Sequence, residues 1–325
     1  MDSGQGTTSG GGAEVTPPAV QNDSDESDAG QRGPDVSPSG GDGPPTSPAG
    51  RDSNPVSRAG RELGPAIGVG LGLGGLVLAT LLLYPDGFVV IVAIAVLVGL
   101  WELVRALEAE DTRQPVLPLA LGSLSMIVLT YLRGTDGLVV SFMITVLACL
   151  VWRLADGARG YLRDISTTVF IATYVPLLAA FAVLLVRPDD GPSRVLAFIV
   201  TVVCSDVGGY LAGVLLGRHR LAPSVSPKKS WEGLAGSMLF CAVGGALLLT
   251  LALDGRWWQG AVFGLAIAAT ATLGDLGESM IKRDLGRKDM GSLLPGHGGM
   301  MDRLDSLLPS AAVAWILLSY FVPLT

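Results

Sequence analysis

The sequence has few charged residues for its length, and this shortage excludes a soluble globular protein of this size. Only 16% of its 325 residues are Asp, Glu, Lys or Arg, whereas 49% are hydrophobic. Ordinary soluble domains carry about 25% charged residues. A chain this apolar indicates a protein that crosses a membrane several times.

Cysteine is also scarce, and two catalytic motifs are missing. The three cysteines, Cys149, Cys204 and Cys241, lie in apolar runs without CxxC spacing. We interpret them as small buried hydrophobic residues, not as disulfides or metal ligands. The sequence contains neither GxxxxGK[ST] nor GxSxG, which argues against a P-loop enzyme and against a serine hydrolase.

Lysine is rare, and its placement is uneven. The chain has only four lysines, Lys228, Lys229, Lys282 and Lys288, all in two polar stretches at 218–233 and 274–305. A compact ammonium behaves differently from the planar guanidinium of arginine. The clustering of the rarer cation indicates that these stretches require an ammonium group.

Residues 1–60 lack large apolar side chains and are rich in Gly, Ser, Pro and Asp. Such a segment cannot bury enough surface to offset its conformational entropy, so we predict a disordered cytoplasmic tail. The start of the chain shows no signal-peptide pattern. The tail either binds a partner or only increases solubility.

The remaining residues, 61–325, form the predicted membrane domain. We predict an all-α integral membrane protein with about nine transmembrane helices, most of them near the ~20 residues that a bilayer requires. The predicted spans are 65–84, 87–107, 115–133, 136–155, 166–186, 194–216, 233–253, 258–281 and 306–323. Two glycine patterns, the run at 68–75 and the four-residue repeat of Gly209, Gly213 and Gly217, predict helix faces that pack closely.

The basic residues predict the orientation of these helices. Eighteen of the 22 Lys and Arg residues fall in the tail and in the loops on its side, and four fall on the other side. By the positive-inside rule, the N-terminus is cytoplasmic. Nine crossings of the cell membrane then place Thr325 outside.

The stretch 274–305 places acids and bases beside apolar segments, where charge is costly unless it pairs, binds metal or faces water. If 273–283 is helical, Asp275, Glu278 or Ser279, and Lys282 fall on one face. Farther along, the sequence PGHGG cannot continue a helix. The alternative is a solvated loop with salt bridges.

Two further places carry polar residues of interest. Asp206 lies in the middle of the sixth predicted span, where an acid indicates either a functional site or a hydrogen bond to a neighbouring helix. The loop 218–233 sets Lys228 and Lys229 beside Ser226 and Ser230, an arrangement suited to a polyphosphate. Its alternative is a set of ordinary cytoplasmic charges.

Together these residues supply what nucleotidyl transfer needs at the edge of a membrane. Carboxylates such as Asp275 and Asp302 are suited to hold Mg²⁺, which prefers oxygen ligands and bridges phosphates. Basic side chains would neutralise the charge that develops on a leaving pyrophosphate. The predicted site opens to the cytoplasm, where nucleotides are found.

At these residues the sequence resembles the phosphatidate cytidylyltransferases (CDP-diacylglycerol synthases). The similarity lies in Ser279, KR, KD, PGHGG and DRxD between 279 and 305, and in SPKKSWEG at 226–233. A third block, DVGGY at 206–210, is also similar. Ser230 stands where the family more often has Thr, and Val207 stands where Thr is usual.

The resemblance implies that CTP and phosphatidate give CDP-diacylglycerol and pyrophosphate. It further implies a Mg²⁺ requirement with Asp275 and Asp302 as ligands, K⁺ as an admissible second cation, and a homodimer. No nucleic-acid partner is expected. The predicted catalytic residues are Asp275, Asp302, Lys282 and Asp289. The predicted substrate-binding residues are Asp206, Ser226, Lys228, Lys229, Ser230, Ser279, Arg283, Lys288, His297, Gly298, Gly299, Arg303 and Asp305.

Two rival functions can be separated from this one. A CTP-dependent polyprenol kinase would transfer the γ-phosphoryl group and release CDP. A transporter would carry inverted repeats and polar residues in both halves. Because the first five predicted spans are nearly free of internal charge, the sequence favours the enzyme.

Overall fold

We describe the fold from a computed structural model. It describes residues 70, 72–108, 112–287, 290–291 and 299–323. The predicted tail at 1–60 lies outside these residues. So do four predicted site residues, Lys288, Asp289, His297 and Gly298.

The described ranges contain nine apolar helices, and the prediction of an all-α membrane protein is confirmed. Eight of them, α2 to α9, are 18 to 28 residues long and apolar enough to cross a bilayer. The described part of α1 is shorter. The helices are α1 (Gly72–Leu83), α2 (Pro85–Glu108), α3 (Val116–Arg133), α4 (Thr135–Leu154), α5 (Tyr161–Val186), α6 (Gly191–Leu216), α7 (Trp231–Ala252), α8 (Trp257–Asp284) and α9 (Met301–Phe321).

Burial identifies α5 as the central helix. In its most apolar window, 61% of the residues are buried, against 28–39% in the other seven long helices. The outer faces of those helices present large apolar side chains, such as Val139, Ile144 and Leu147 on α4. Exposed apolar faces of this kind suit contact with lipid. Midway, α5 contains a π-helical turn, Thr173–Leu177, with Pro176 inside it.

Glycines bring α6, α7 and α8 together backbone to backbone. A Cβ on Gly264 of α8 would overlap the Cys241 carbonyl of α7, and one on Gly208 of α6 would lie 2.7 Å from the Phe240 side chain. Gly209 approaches Ser237 in the same way. The predicted packing role of the repeat is therefore confirmed at Gly209, since small residues let helices approach closely. Gly213 is only in ordinary contact with α7, and Gly217 follows the last residue of α6.

The packing interpretation of the earlier glycine run is wrong for its described members on α1. A Cβ on Gly72, Gly74 or Gly75 would meet no atom within 4 Å. The cysteine interpretation holds, since Cys149 and Cys241 are buried, Cys204 is half-buried and all three are free.

A short hairpin, which the sequence analysis did not predict, joins α6 to α7. Its strands are β1 (Arg220–Ala222) and β2 (Ser226–Ser230), which pair antiparallel with Arg220 opposite Ser230. The Ser230 hydroxyl accepts a hydrogen bond from the Gly233 N–H at 3.1 Å and caps α7. The hairpin therefore holds Lys228 and Lys229 at the membrane edge, where α6 ends and α7 begins.

Candidate active site

Two adjoining cavities lie where α6, α7, α8 and α9 meet the hairpin. The hairpin cavity, about 310 Å³, is lined by Ser205, Asp206, Gly209, Tyr210, Gly213, Leu221, Ser226, Lys228, Lys229, Ser230, Gly233, Leu234, Ser237, Thr272 and Asp275. The acidic cavity, about 470 Å³, is lined by Ile199, Val202, Val203, Asp206, Lys229, Asp275, Glu278, Ser279, Lys282, Asp302, Arg303, Asp305, Ser306 and Leu307. Asp206, Lys229 and Asp275 line both cavities and form their shared wall.

The predicted stripe on α8 is confirmed. Asp275, Glu278, Ser279 and Lys282 all line the acidic cavity. Their spacing of three, four and seven residues places them on one helix face. The helix continues to Asp284, so the stripe is helical along its whole length and turns inward, away from lipid.

Lys282 is the cation at the centre of the acidic cavity. Its Nζ lies 2.6 Å from Glu278 Oε2 and 2.7 Å from Asp302 Oδ1. The Glu278 side chain is only 1% exposed, so an unpaired charge there would carry a large desolvation penalty. One ammonium therefore pairs with two carboxylates, from α8 and α9, and holds them close to each other.

Asp302 is fixed on its other side by the backbone. Its Oδ2 accepts a hydrogen bond from the Gly299 N–H at 2.7 Å and a longer one from the Met290 N–H at 3.3 Å. Charge-assisted hydrogen bonds to a carboxylate are about twice as strong as neutral ones. The carboxylate of Asp302 is thus held in one orientation by Lys282 and by two backbone segments.

Lys229 and Lys228 are adjacent in sequence but differ in their surroundings. Lys229 Nζ lies 2.6 Å from Asp275 Oδ2, and the Lys229 side chain is 27% exposed. Lys228 is exposed and lines only the hairpin cavity. Along a β-strand, neighbouring side chains point to opposite faces, so only Lys229 turns toward α8.

In the sixth predicted span, Ser205 and Asp206 have different surroundings. The Ser205 carbonyl accepts a hydrogen bond from the Ser237 hydroxyl at 2.7 Å, which links α6 to α7. Asp206 instead faces both cavities. The structural hydrogen bond and the candidate site residue are therefore neighbours in the chain.

The structure brings most of the predicted site residues together. Those that line a cavity are Asp206, Ser226, Lys228, Lys229, Ser230, Asp275, Ser279, Lys282, Asp302, Arg303 and Asp305. Gly299 contributes its N–H to Asp302. Arg283 lines neither cavity; it is exposed, and its Nε donates to the Val225 carbonyl at 3.4 Å.

Glu102 was not among the predicted site residues, and the expectation that the first five spans are nearly free of internal charge is wrong at Glu102 and Arg153. Glu102 on α2 is 2% exposed, and Arg153 and Asp164 form a buried pair at 2.8 Å between α4 and α5. An acid inside an apolar span is a signal that the sequence carries. Glu102 carries this signal as Asp206 does.

The chain is similar to known proteins over most of its length. The model of the cytidylyltransferase family matches residues 66–321. A phosphatidate cytidylyltransferase of Mycobacterium leprae (strain TN) is 48% identical, covering 77% of this chain and 85% of that protein. Its namesake in Mycobacterium tuberculosis (strain ATCC 25618 / H37Rv) is 44% identical over 77% of this chain and 80% of that protein.

A more distant relative, the phosphatidate cytidylyltransferase of Brucella suis biovar 1 (strain 1330), is 31% identical, covering 68% of this chain and 82% of that protein. The matched region includes all nine helices, the hairpin and both cavities. With a family model that covers most of its length, the chain belongs to the cytidylyltransferase family.

Proposed function

We propose that this chain transfers a cytidylyl group from CTP to phosphatidate and releases pyrophosphate. One observation carries the proposal. The hairpin cavity, beside Lys228 and Lys229, adjoins the acidic cavity, and the pair of Lys229 and Asp275 lies where the two cavities meet. Membership in the family and relatives of 44–48% identity named phosphatidate cytidylyltransferase support it.

The two cavities differ in a way that suits two substrates. The hairpin cavity lies beside the polar loop and presents two ammonium groups, which suit the triphosphate of CTP. The acidic cavity has an apolar wall of Ile199, Val202 and Val203, which suits a lipid that enters from the membrane. The substrates then meet at the shared wall, within reach of Lys229.

In the proposed reaction, an oxygen of the phosphatidate phosphate attacks the α-phosphorus of CTP. A bond forms between that oxygen and the α-phosphorus, and the bond to the bridging oxygen of pyrophosphate breaks. Because the nucleophile is already an anion, no strong general base is needed. Positioning and charge neutralisation by Lys229, Lys228 and Arg303 supply the catalysis.

The residues of the acidic cavity fit a divalent cation. They offer hard carboxylate oxygens, and Glu278 Oε1 is buried without a hydrogen-bond partner in the described residues. Within that part of the chain, no three His, Cys, Asp or Glu side chains converge on one metal-sized position. Mg²⁺ is often held by only one or two carboxylates together with substrate phosphates.

We propose Asp275 and Asp302 as the residues that hold Mg²⁺. Each now pairs with a lysine, and each carboxylate oxygen has a second lone pair to offer. When bound, Mg²⁺ supplies the positive charge that stabilises a leaving pyrophosphate. A role for K⁺ and a homodimer remain predictions, to be measured by cation replacement and by light scattering in detergent.

One assay tests the proposed reaction against a lipid kinase. Purified protein receives phosphatidate with CTP labelled at either the α- or the γ-phosphorus, and the extracted lipid is counted. We expect label from α-³²P-CTP alone. Label from γ-³²P-CTP in a lipid alcohol would instead establish phosphoryl transfer, and no label in any lipid would overturn the proposal.

The two neighbouring lysines should contribute unequally. We expect Lys229→Ala to lower kcat/KM for CTP by about 100-fold, as for loss of one preorganised donor. Lys228→Ala should have a clearly smaller effect, because Lys228 is exposed and does not reach Asp275. Both variants should keep their melting temperatures, since the pair is partly exposed.

The measurement is steady-state kinetics over a range of CTP concentrations. Arg218→Ala is the matched control, because Arg218 is a basic residue of the same loop that lines neither cavity. A monodisperse Lys229→Ala protein with unchanged kinetics for CTP would remove Lys229 from the site.

We propose that the hairpin faces the cytoplasm and that the loop between α5 and α6 faces outward across the cell membrane. The uneven distribution of Lys and Arg supports this orientation. In a variant without native cysteines, Asp189→Cys should react with an impermeant thiol reagent in intact cells. Ser224→Cys, in the turn of the hairpin, should react only after permeabilisation, and the reverse pattern would invert the topology.

A further inference from the structure

Glu102 is a buried carboxylate that the proposed reaction does not use. It lies on α2, is 2% exposed, and its Oε2 accepts a hydrogen bond from the Met301 N–H at 2.9 Å. Met301 is 199 residues later in the chain. A buried acid in a membrane-spanning helix is costly, so a contact of this kind is evidence of a function.

Two glycines, Gly291 and Gly299, lie against the Glu102 carboxylate. A Cβ on Gly299 would lie 2.5 Å from Glu102 Oε2, and a Cβ on Gly291 would overlap the Glu102 side chain, which supplies its three nearest atoms. Only glycine leaves room for a backbone at this distance. Glu102 therefore contacts the chain at Gly291, at Gly299 and at Met301.

The residues that Glu102 contacts are next to Asp302, either in the chain or through a hydrogen bond. Met301 is the first residue of α9, and a carboxylate that accepts from a first-turn N–H stabilises a helix start as an N-cap does. Here the capping carboxylate belongs to a different helix, α2. Asp302 follows at once, and its carboxylate accepts the N–H of Gly299, beside which Glu102 lies.

We propose that Glu102 is a positioning residue: it fixes the start of α9 so that Asp302 meets Lys282 inside the acidic cavity. Its catalytic consequence rests on the proposed function, whereas its effect on the backbone does not. The carboxylate contacts neither cavity, so Glu102 acts through Asp302 and not on a substrate.

The kinetic test compares Glu102→Ala, Glu102→Gln and Glu102→Asp with wild type over a range of phosphatidate concentrations at saturating CTP. We expect Glu102→Ala to lower kcat by about 100-fold, as for a misplacement of roughly 1 Å in an active site. The KM for phosphatidate should change little. Glu102→Gln should retain more activity than Glu102→Asp, because the amide oxygen still reaches Met301 while the shorter carboxylate does not.

Glu108→Gln is the matched control, since Glu108 lies on the same helix and is exposed. It should keep the wild-type kcat. If the folded Glu102→Ala protein turns over at the wild-type rate, the proposal is overturned. It is equally overturned if only the yield of folded protein falls while kcat per folded molecule is unchanged.

A second test requires no catalysis. Hydrogen exchange at the Met301 amide should be faster in Glu102→Ala than in wild type and unchanged in Glu108→Gln. In addition, Gly291→Ala should lower the melting temperature, and adding Glu102→Asp should recover part of that loss, because the shorter side chain makes room for the methyl group. Strict additivity of the two substitutions would contradict the contact.

The outcomes separate this proposal from the proposed function. If wild-type protein transfers no cytidylyl group, the proposed function fails, yet exchange and melting still report whether Glu102 holds α9. If wild-type protein is active and Glu102→Ala is equally active, the positioning role fails and the reaction stands.

Discussion

Asp302→Asn is expected to lower turnover by about a thousandfold while the protein stays folded. Asparagine has nearly the same size and can still accept one hydrogen bond from Gly299. It removes the negative charge that pairs with Lys282 Nζ at 2.7 Å and that a hard dication requires of its ligands. Asp275→Asn should have a similar effect, because Asp275 pairs with Lys229 in the shared wall of the two cavities.

The measurement is turnover as a function of Mg²⁺ concentration, with melting temperature as the check on folding. Asp254→Asn serves as control: Asp254 lies between α7 and α8 with a φ of 51°, a conformation that asparagine also adopts readily. Wild-type rates and Mg²⁺ dependence in both active-site variants would show that these aspartates are structural ion-pair partners and not cation ligands.

The second large effect is expected at Lys282. Lys282→Met keeps an unbranched side chain of nearly the same length and removes the ammonium that holds Glu278 and Asp302. Breaking a buried pair by removal of one partner costs about 3–5 kcal/mol. We therefore expect both a lower melting temperature and a loss of turnover at least as large as that of Asp302→Asn.

A double variant separates the loss of stability from the loss of turnover. Adding Glu278→Gln to Lys282→Met removes one of the stranded charges and should recover part of the melting temperature, but not the turnover. Lys282→Arg, which keeps the charge, should remain folded. If the double variant recovers turnover together with stability, Lys282 only supports the fold, and the proposed catalytic role is wrong.

The helices could be predicted because apolar length alone decides where a chain crosses a bilayer. Predicted and observed limits differ by one residue at each end of α4, and by three residues at the start of α6. Gly134 marks the turn before α4 that the sequence shows. The stripe of Asp275 and Lys282 could be predicted for the same reason, because helical spacing places them on one face whatever the rest of the fold does.

The partners of these side chains could not be predicted. Lys228 and Lys229 are equivalent in sequence, and only the pleat of an unpredicted strand turns Lys229 toward Asp275. Glu102 shows the same limit over a longer distance, since its contact with Met301 depends on how α2 packs beside α9. The spacing of residues along a helix determines which side chains share a face, whereas tertiary packing determines which residues that face contacts.

The glycine contacts of α6, α7 and α8 have a consequence for mutational tolerance. No side chain fits at Gly264, where a Cβ would overlap the Cys241 carbonyl, or at Gly245 and Gly260, where it would overlap the facing helix backbone. In a saturation-mutagenesis scan, these positions should therefore tolerate no replacement, although they line neither cavity. Variants there should be missing from the membrane altogether, whereas variants at Asp302 should accumulate as intact, inactive protein.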